Sequence, residues 1–146
     1  MTERPDVQLL DVNVLVALVS PQHVHHAAAH RWFAGVSDWA TTPITETAFI
    51  RLISNPVVVG ADLTPQEVIA LLRRLCKWRG HRFLRDETRL LDPSIDLAAL
   101  VGPRQVTDFH LVQLAKIAGA TLATFDAKLI AALAVADRRH VHLIEV

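Results

Sequence analysis

Apolar and polar positions fall in blocks along the chain that predict short strands separated by helices. Val7–Leu10 is an apolar run, read as a strand buried on both faces. It ends at Asp11, and Val14–Val19 reads as a short helix that Pro21 stops. A second helix is predicted over His25–Phe33, with Gly35 closing it. Trp39-Ala40-Thr41 is a brief strand. Thr45–Ile53 reads as a helix with Ala48, Phe49, Leu52 and Ile53 on one face, ended by Asn55-Pro56.

Thr64-Pro65-Gln66-Glu67 joins a capping hydroxyl, a proline at the first helical position and a glutamate three residues on. That combination starts a helix reaching Lys77 or Trp78, with Gly80 as its terminator. His81–Leu84 is a further strand. Arg85–Gln105 carries weak periodicity and is expected to be irregular, with a short helix over Ile95–Val101. Thr107 is expected to cap a helix bearing Leu111, Leu114, Ala115 and Ala118, which Gly119 ends. Thr121–Thr124 is the next strand, an Ala-rich helix runs through Leu133, and Val141–Val146 is the last strand. This alternation predicts an α/β fold, a three-layer α/β/α sandwich with a mostly parallel central sheet. Residues 1–146 show no repeat or linker and read as one domain.

Composition narrows the class. Hydrophobic residues at 51% and charged residues at 21% exclude an intrinsically disordered chain. The single cysteine, Cys76, cannot form an internal disulfide or a Cys-rich zinc site and points to a reducing compartment. No apolar run approaches the ~20 residues needed to span a bilayer. Met1–Asp6 lacks the basic start of a signal peptide, so a cytoplasmic location without a membrane role is expected. The 15 Lys+Arg match the 15 Asp+Glu, which excludes a globally basic nucleic-acid binder. The charges are nonetheless segregated. Arg73, Arg74, Lys77, Arg79, Arg82 and Arg85 lie in an acid-free span, either a solvated helix face or a phosphate-binding rim.

Ligands of open parallel sheets bind at the carboxyl ends of strands. Asp11 and Asp126 follow predicted strands there, while Glu46 and Asp108 sit in the first turns of predicted helices. One such acid commonly does no more than complement a helix dipole. Four converging acids are a different matter, because two carboxylates about 4 Å apart repel by roughly 4 kcal/mol at an effective dielectric of 20. A cluster of that kind needs raised pKa values or a cation. All-oxygen ligands select Mg2+ or Mn2+, and phosphoryl chemistry is the natural use of such an ion.

The motifs carry a resemblance. Leu9-Leu10-Asp11-Val12-Asn13-Val14-Leu15-Val16-Ala17-Leu18 resembles the opening motif of the PIN-domain ribonucleases. Thr45-Glu46, Thr107-Asp108 and Ala123-Thr124-Phe125-Asp126 are similar to their later acidic motifs, in the same order. His25 to Trp32, Arg51-Leu52-Ile53-Ser54-Asn55-Pro56 and Val106-Thr107-Asp108-Phe109-His110-Leu111 further resemble the VapC toxins of bacterial toxin–antitoxin pairs. The likeness spans nearly the whole chain and is weakest between Pro56 and Gln105.

What the resemblance implies is a magnesium-dependent endoribonuclease toxin, a hydrolase, with Asp11, Glu46, Asp108 and Asp126 as catalytic residues. It implies Asp11 and Asp108 as direct metal ligands, Asp126 direct or through water, and Glu46 positioning the attacking water. Asn13 and Thr124 then orient carboxylates or meet a phosphate. Arg51, one turn after Glu46, is read from its helical spacing as an ion-pair partner or phosphate contact. A VapB-type antitoxin and a homodimer are the implied partners beside the RNA substrate.

Two other classes compete. An aspartate-nucleophile phosphohydrolase also begins with a strand and an acid, but Asn13 replaces the general acid that chemistry needs. A non-catalytic regulatory or binding module on the same fold would use the acids as caps and surface charge. The histidines His23, His25, His26 and His30 suggest zinc, yet no acid or cysteine in that segment completes a tetrahedron. Structural roles are expected for them. His110 projects about 200° around the helix from Asp108 and is left outside the site. Trp32 and Trp39 read as core or interface aromatics, and Cys76 as a buried thiol.

Overall fold

A computed structural model describes residues 6–60 and 62–146, so the reading of Met1–Pro5 lies outside the described residues. Five strands form one sheet: β1 (Val7–Leu10), β2 (Trp39–Thr41), β3 (His81–Phe83), β4 (Ala120–Thr124) and β5 (Val141–Leu143). They lie in the order β3-β2-β1-β4-β5, and every neighbouring pair is parallel. Parallel strands demand crossovers, which the helices supply. These are α1 (Val12–Val19), α2 (His26–Phe33), α3 (Pro43–Ile53), α4 (Pro56–Val59), α5 (Pro65–Leu75), α6 (Val106–Ala118) and α7 (Ala127–Ala132). Strand order reverses between β1 and β4, and the carboxyl ends of those two strands flank the crevice that this reversal opens.

Alternation along the strands divides the core into two layers. Leu10, Trp39 and Ala123 pack with Phe49 and Ile53 of α3 and with Val68, Leu72 and Leu75 of α5. Leu9, Ala40 and Leu122 face the other way, against Phe109, Val112 and Ala115 of α6 and Leu129 of α7. Burying both faces explains the consecutive apolar pairs Leu9-Leu10 in β1 and Leu122-Ala123 in β4. Trp39 is wholly buried with its ring edge-on to Phe33, while Trp32 is half-buried and stacks on His142.

Element boundaries differ from the sequence reading for local reasons. α1 starts at Val12, because Asp11 caps it by accepting the Val12 N–H at 2.7 Å. α3 starts at Pro43, since Thr42 and Thr45 form a reciprocal capping box around a proline at the first turn. α4 is an unforeseen single turn. Asn55 caps it through the Val57 N–H at 3.1 Å, and Gly60 ends it with φ of 70°. The helix expected over Ile95–Val101 is turn and bend instead. There Asp96 spends its side chain on the Ala98 N–H (2.9 Å) and its own N–H on the Asp137 carboxylate (2.8 Å). A short 3-10 turn over Pro103–Gln105 runs directly into α6, which places Thr107 inside the helix and not at its cap.

Gly80 occupies a position closed to any other residue. Its φ is 87°, and a Cβ there would lie 1.9 Å from the Ser37 carbonyl oxygen. The same glycine's carbonyl accepts the Trp39 N–H at 3.0 Å, fastening the α5–β3 turn to β2.

Candidate functional site

Asp11, Asp108 and Asp126 gather at the β1–β4 crevice. Asp11 ends β1, Asp126 follows β4 and caps α7 through the Lys128 N–H (3.0 Å), and Asp108 lies in the first turn of α6. Thr124, the wholly buried last residue of β4, ties two of them together. Its hydroxyl donates to Asp11 Oδ2 at 2.8 Å and accepts the Asp126 N–H at 3.1 Å. Asn13 joins from α1, its amide donating to Thr124 Oγ1 at 3.3 Å.

The electrostatics show that Asp11 and Asp108 each feel neighbouring acids. Asp11 is buried, and burial pushes its carboxyl above the usual range. The hydrogen bonds from Thr124 and Val12 pull it back, and the charge of Asp126 adds to the rise. Asp108 is pushed up to about 6, first by burial and then by the charges of Asp11 and Asp126. Crowded carboxylates in a half-buried crevice are set against one another unless a cation joins them.

Glu46 is not among the charges acting on Asp11 or Asp108. Its carboxylate accepts the Thr41 hydroxyl at 2.6 Å. The Thr41 oxygen also lies 2.8 Å from His81 Nε2, and because threonine has one proton to give, the histidine is the donor in that second bond. Glu46 is the charge felt by Cys76 and His81. Burial raises the Cys76 thiol and Glu46 raises it further. The His81 imidazole is lowered by burial, against the pull of Glu46. Glu46, Cys76 and His81 each offer a ligand atom, all within 4.8 Å of one another, the closest such set among the described residues. Neither Thr41 nor His81 stood out in the sequence. The signal that unites them is register: Trp39 pairs with His81 across β2 and β3, which puts Thr41 diagonally opposite on the same face.

Other residues fall as follows. Arg51 is exposed and lines a surface groove with Thr47 and Thr107, one residue from Asp108. His26 and His30 donate to the carbonyls of Ala17 and Leu18 at 2.7 and 2.8 Å, satisfying the last turn of α1. His25 stacks on Phe125 with ring centres 4.7 Å apart. His110 pairs with Asp86 at 2.8 Å, away from the three aspartates, as its helical angle required. In the basic stretch, Arg73, Arg74, Lys77 and Arg79 are exposed, while Arg82 pairs with Asp38 at 2.9 Å. Cys76 is half-buried, more open than the buried thiol expected.

The family model of the PIN domain matches residues 9–135, a span holding all four acids. The chain belongs to the PIN domain family. Ribonuclease VapC39 of Mycobacterium tuberculosis is 47% identical over 141 residues, covering 94% of this chain and 97% of that protein. Ribonuclease VapC38 of the same species is 45% identical over 121 residues, covering 82% of this chain and 84% of its own. Ribonuclease VapC44, also from that species, is 39% identical over 121 residues. The five-stranded parallel sheet with helices on both faces agrees with that membership. Among the described residues, no helix is long and apolar enough to cross a membrane.

Proposed function

We propose that this PIN-domain chain is a metal-dependent endoribonuclease toxin of a toxin–antitoxin pair, hydrolysing RNA phosphodiester bonds as one domain over residues 1–146. The observation that carries the reading is the gathering of Asp11, Asp108 and Asp126 at the β1–β4 crevice around the Thr124 hydroxyl, where burial and the charges of Asp11 and Asp126 raise Asp108 to about 6. High identity to relatives named ribonucleases supports it.

The donor set is hard oxygen alone, which fits Mg2+ and also accommodates Mn2+. Asp11 and Asp108 would hold the ion directly, with Asp126 direct or through water. The three aspartates are spread more widely than the Glu46 set, and that spacing suits an ion that keeps part of its water shell. Such an ion supplies an activated water and offsets charge on the transferring phosphoryl group. Thr124 fixes the orientation of Asp11 and the backbone of Asp126, and Asn13 steadies Thr124. Glu46 would place the attacking water after releasing Thr41, a side-chain rotation on a fixed helix. Arg51, exposed beside Thr107, would meet a substrate phosphate.

A VapB-type antitoxin is the proposed regulatory partner, and a homodimer in the cytoplasm the proposed state. A groove of about 420 Å³ lined by Val12, Val16, Leu52, Val58 and Val59 has Asn13 in its wall and offers apolar surface for such a partner.

The deciding experiment is cleavage of RNA by the wild type and by Asp108→Asn, with and without added Mg2+. Loss of a ligand carboxylate is expected to cost at least about 100-fold in rate while the fold persists. Cleavage that survives the substitution, or that ignores chelation, would assign the acids to a non-catalytic module.

A further inference from the structure

We propose that Glu46, Cys76 and His81 form a second cation site, selective for a thiophilic divalent ion of the zinc class and distinct from the aspartate crevice. The three ligands come from three different elements. Glu46 is on α3, Cys76 closes α5, and His81 opens β3. Their placement therefore follows from the fold and not from one loop. Gly80, locked in the left-handed region, holds the turn that brings Cys76 back toward His81.

The chemistry of the set is specific. Zinc takes thiolate, imidazole and carboxylate ligands, and three protein ligands leave a fourth position for water. Magnesium disfavours this mixture, because sulfur and nitrogen are soft partners for a hard ion. One thiolate and one carboxylate would neutralise a divalent charge inside a half-buried pocket, which removes the penalty of burying an ion unpaired. Ligand atoms around tetrahedral zinc stand about 3.5 Å apart. The observed set lies within 4.8 Å, so closing onto an ion takes side-chain rotation, release of the Cys76 thiol proton to solvent, and the His81 tautomer that leaves a lone pair on its ligating nitrogen. The Thr41 hydroxyl, bonded to both Glu46 and His81, gathers those two groups around one oxygen, and an ion would take over these bonds from it.

The alternative account is a hydrogen-bonded polar cluster that merely satisfies Thr41, and binding separates the two. Chelator-stripped full-length protein would be titrated with Zn2+, and separately with Co2+, whose thiolate bond gives a charge-transfer absorption. One equivalent of zinc should bind, and Cys76→Ser and His81→Gln should each weaken it at least about tenfold. Cys76→Ser should abolish the cobalt charge-transfer band. The double variant Asp11→Asn with Asp108→Asn should retain both signals. Circular dichroism on each variant establishes that it is folded. Zinc affinity unchanged in Cys76→Ser, a missing charge-transfer band in the wild type, or zinc binding lost with the aspartates would each overturn the proposal. On the ribonuclease reading above, occupancy would hold Glu46 away from the aspartates and slow cleavage. The binding test does not depend on that reading.

Discussion

Thr124 and Thr41 hold equivalent places, each the wholly buried last residue of a parallel strand, and each gives its one proton to a carboxylate. Their surroundings then diverge. Thr124 continues the side of β4 that faces α6, and its oxygen accepts from Asn13 and the Asp126 backbone. Thr41 continues the Trp39 side of β2, facing α3 and α5, and its oxygen meets the His81 ring. One hydroxyl therefore organises an all-oxygen, anionic crevice, and the other a mixed oxygen, nitrogen and sulfur cluster. The pleat decides which chemistry each receives, since a strand offers opposite faces at successive residues.

The strongest way to break the comparison is through the backbone that supports only one side. Gly80→Ala places a Cβ 1.9 Å from the Ser37 carbonyl at a φ of 87°, so strand β3 must shift or the turn must rearrange. A loss of at least about 3 kcal/mol is expected, read from urea unfolding. His81 moves with that turn and Thr124 does not, so amide protection should fall around β3 before β4.

A gentler comparison replaces each hydroxyl by a methyl. Thr124→Val leaves a buried Asp11 oxygen and the Asp126 N–H without their partner, at a cost of about 1–3 kcal/mol. Thr41→Val should cost less, because Glu46 is half-buried and can turn to water. Equal losses in the two variants would show that burial of the carboxylate does not set the difference.

Much of this arrangement was legible in the residues. Asp11 and Asp126 after apolar runs, and Asp108 before a helical stripe, locate the crevice once a parallel sheet is assumed. The orientation of Glu46 was not legible, because helical position sets its height on α3 but not the strand neighbour its carboxylate meets. That neighbour depends on the pairing of Trp39 with His81, residues far apart in sequence. The helix expected over Ile95–Val101 failed for a similar reason. Asp96 answers to Asp137, a partner outside its own segment. His26 and His30 were correctly left to structural work, since each ends on a carbonyl of α1.

The subtlest difference between the two regions is in their response to pH. Asp108 is raised from 3.8 to about 6, so in chelator-treated protein the folded state holds a proton that the unfolded chain releases at lower pH. Its favourable contribution is present below about pH 4 and is lost as pH rises through about 6. Stability of the metal-free protein should therefore decline across that window, superposed on the titration of other groups. Asp108→Asn, which cannot ionise, should flatten this part of the slope, whereas Glu46→Gln should leave it in place, because Glu46 is not among the charges acting on Asp108. Adding Mg2+ should oppose the decline above pH 6 by favouring the ionised carboxylates. Melting temperatures from pH 4 to 7 for these proteins, with and without the ion, provide the measurement. A slope that follows Glu46 instead of Asp108 would mean that the two clusters are electrostatically one.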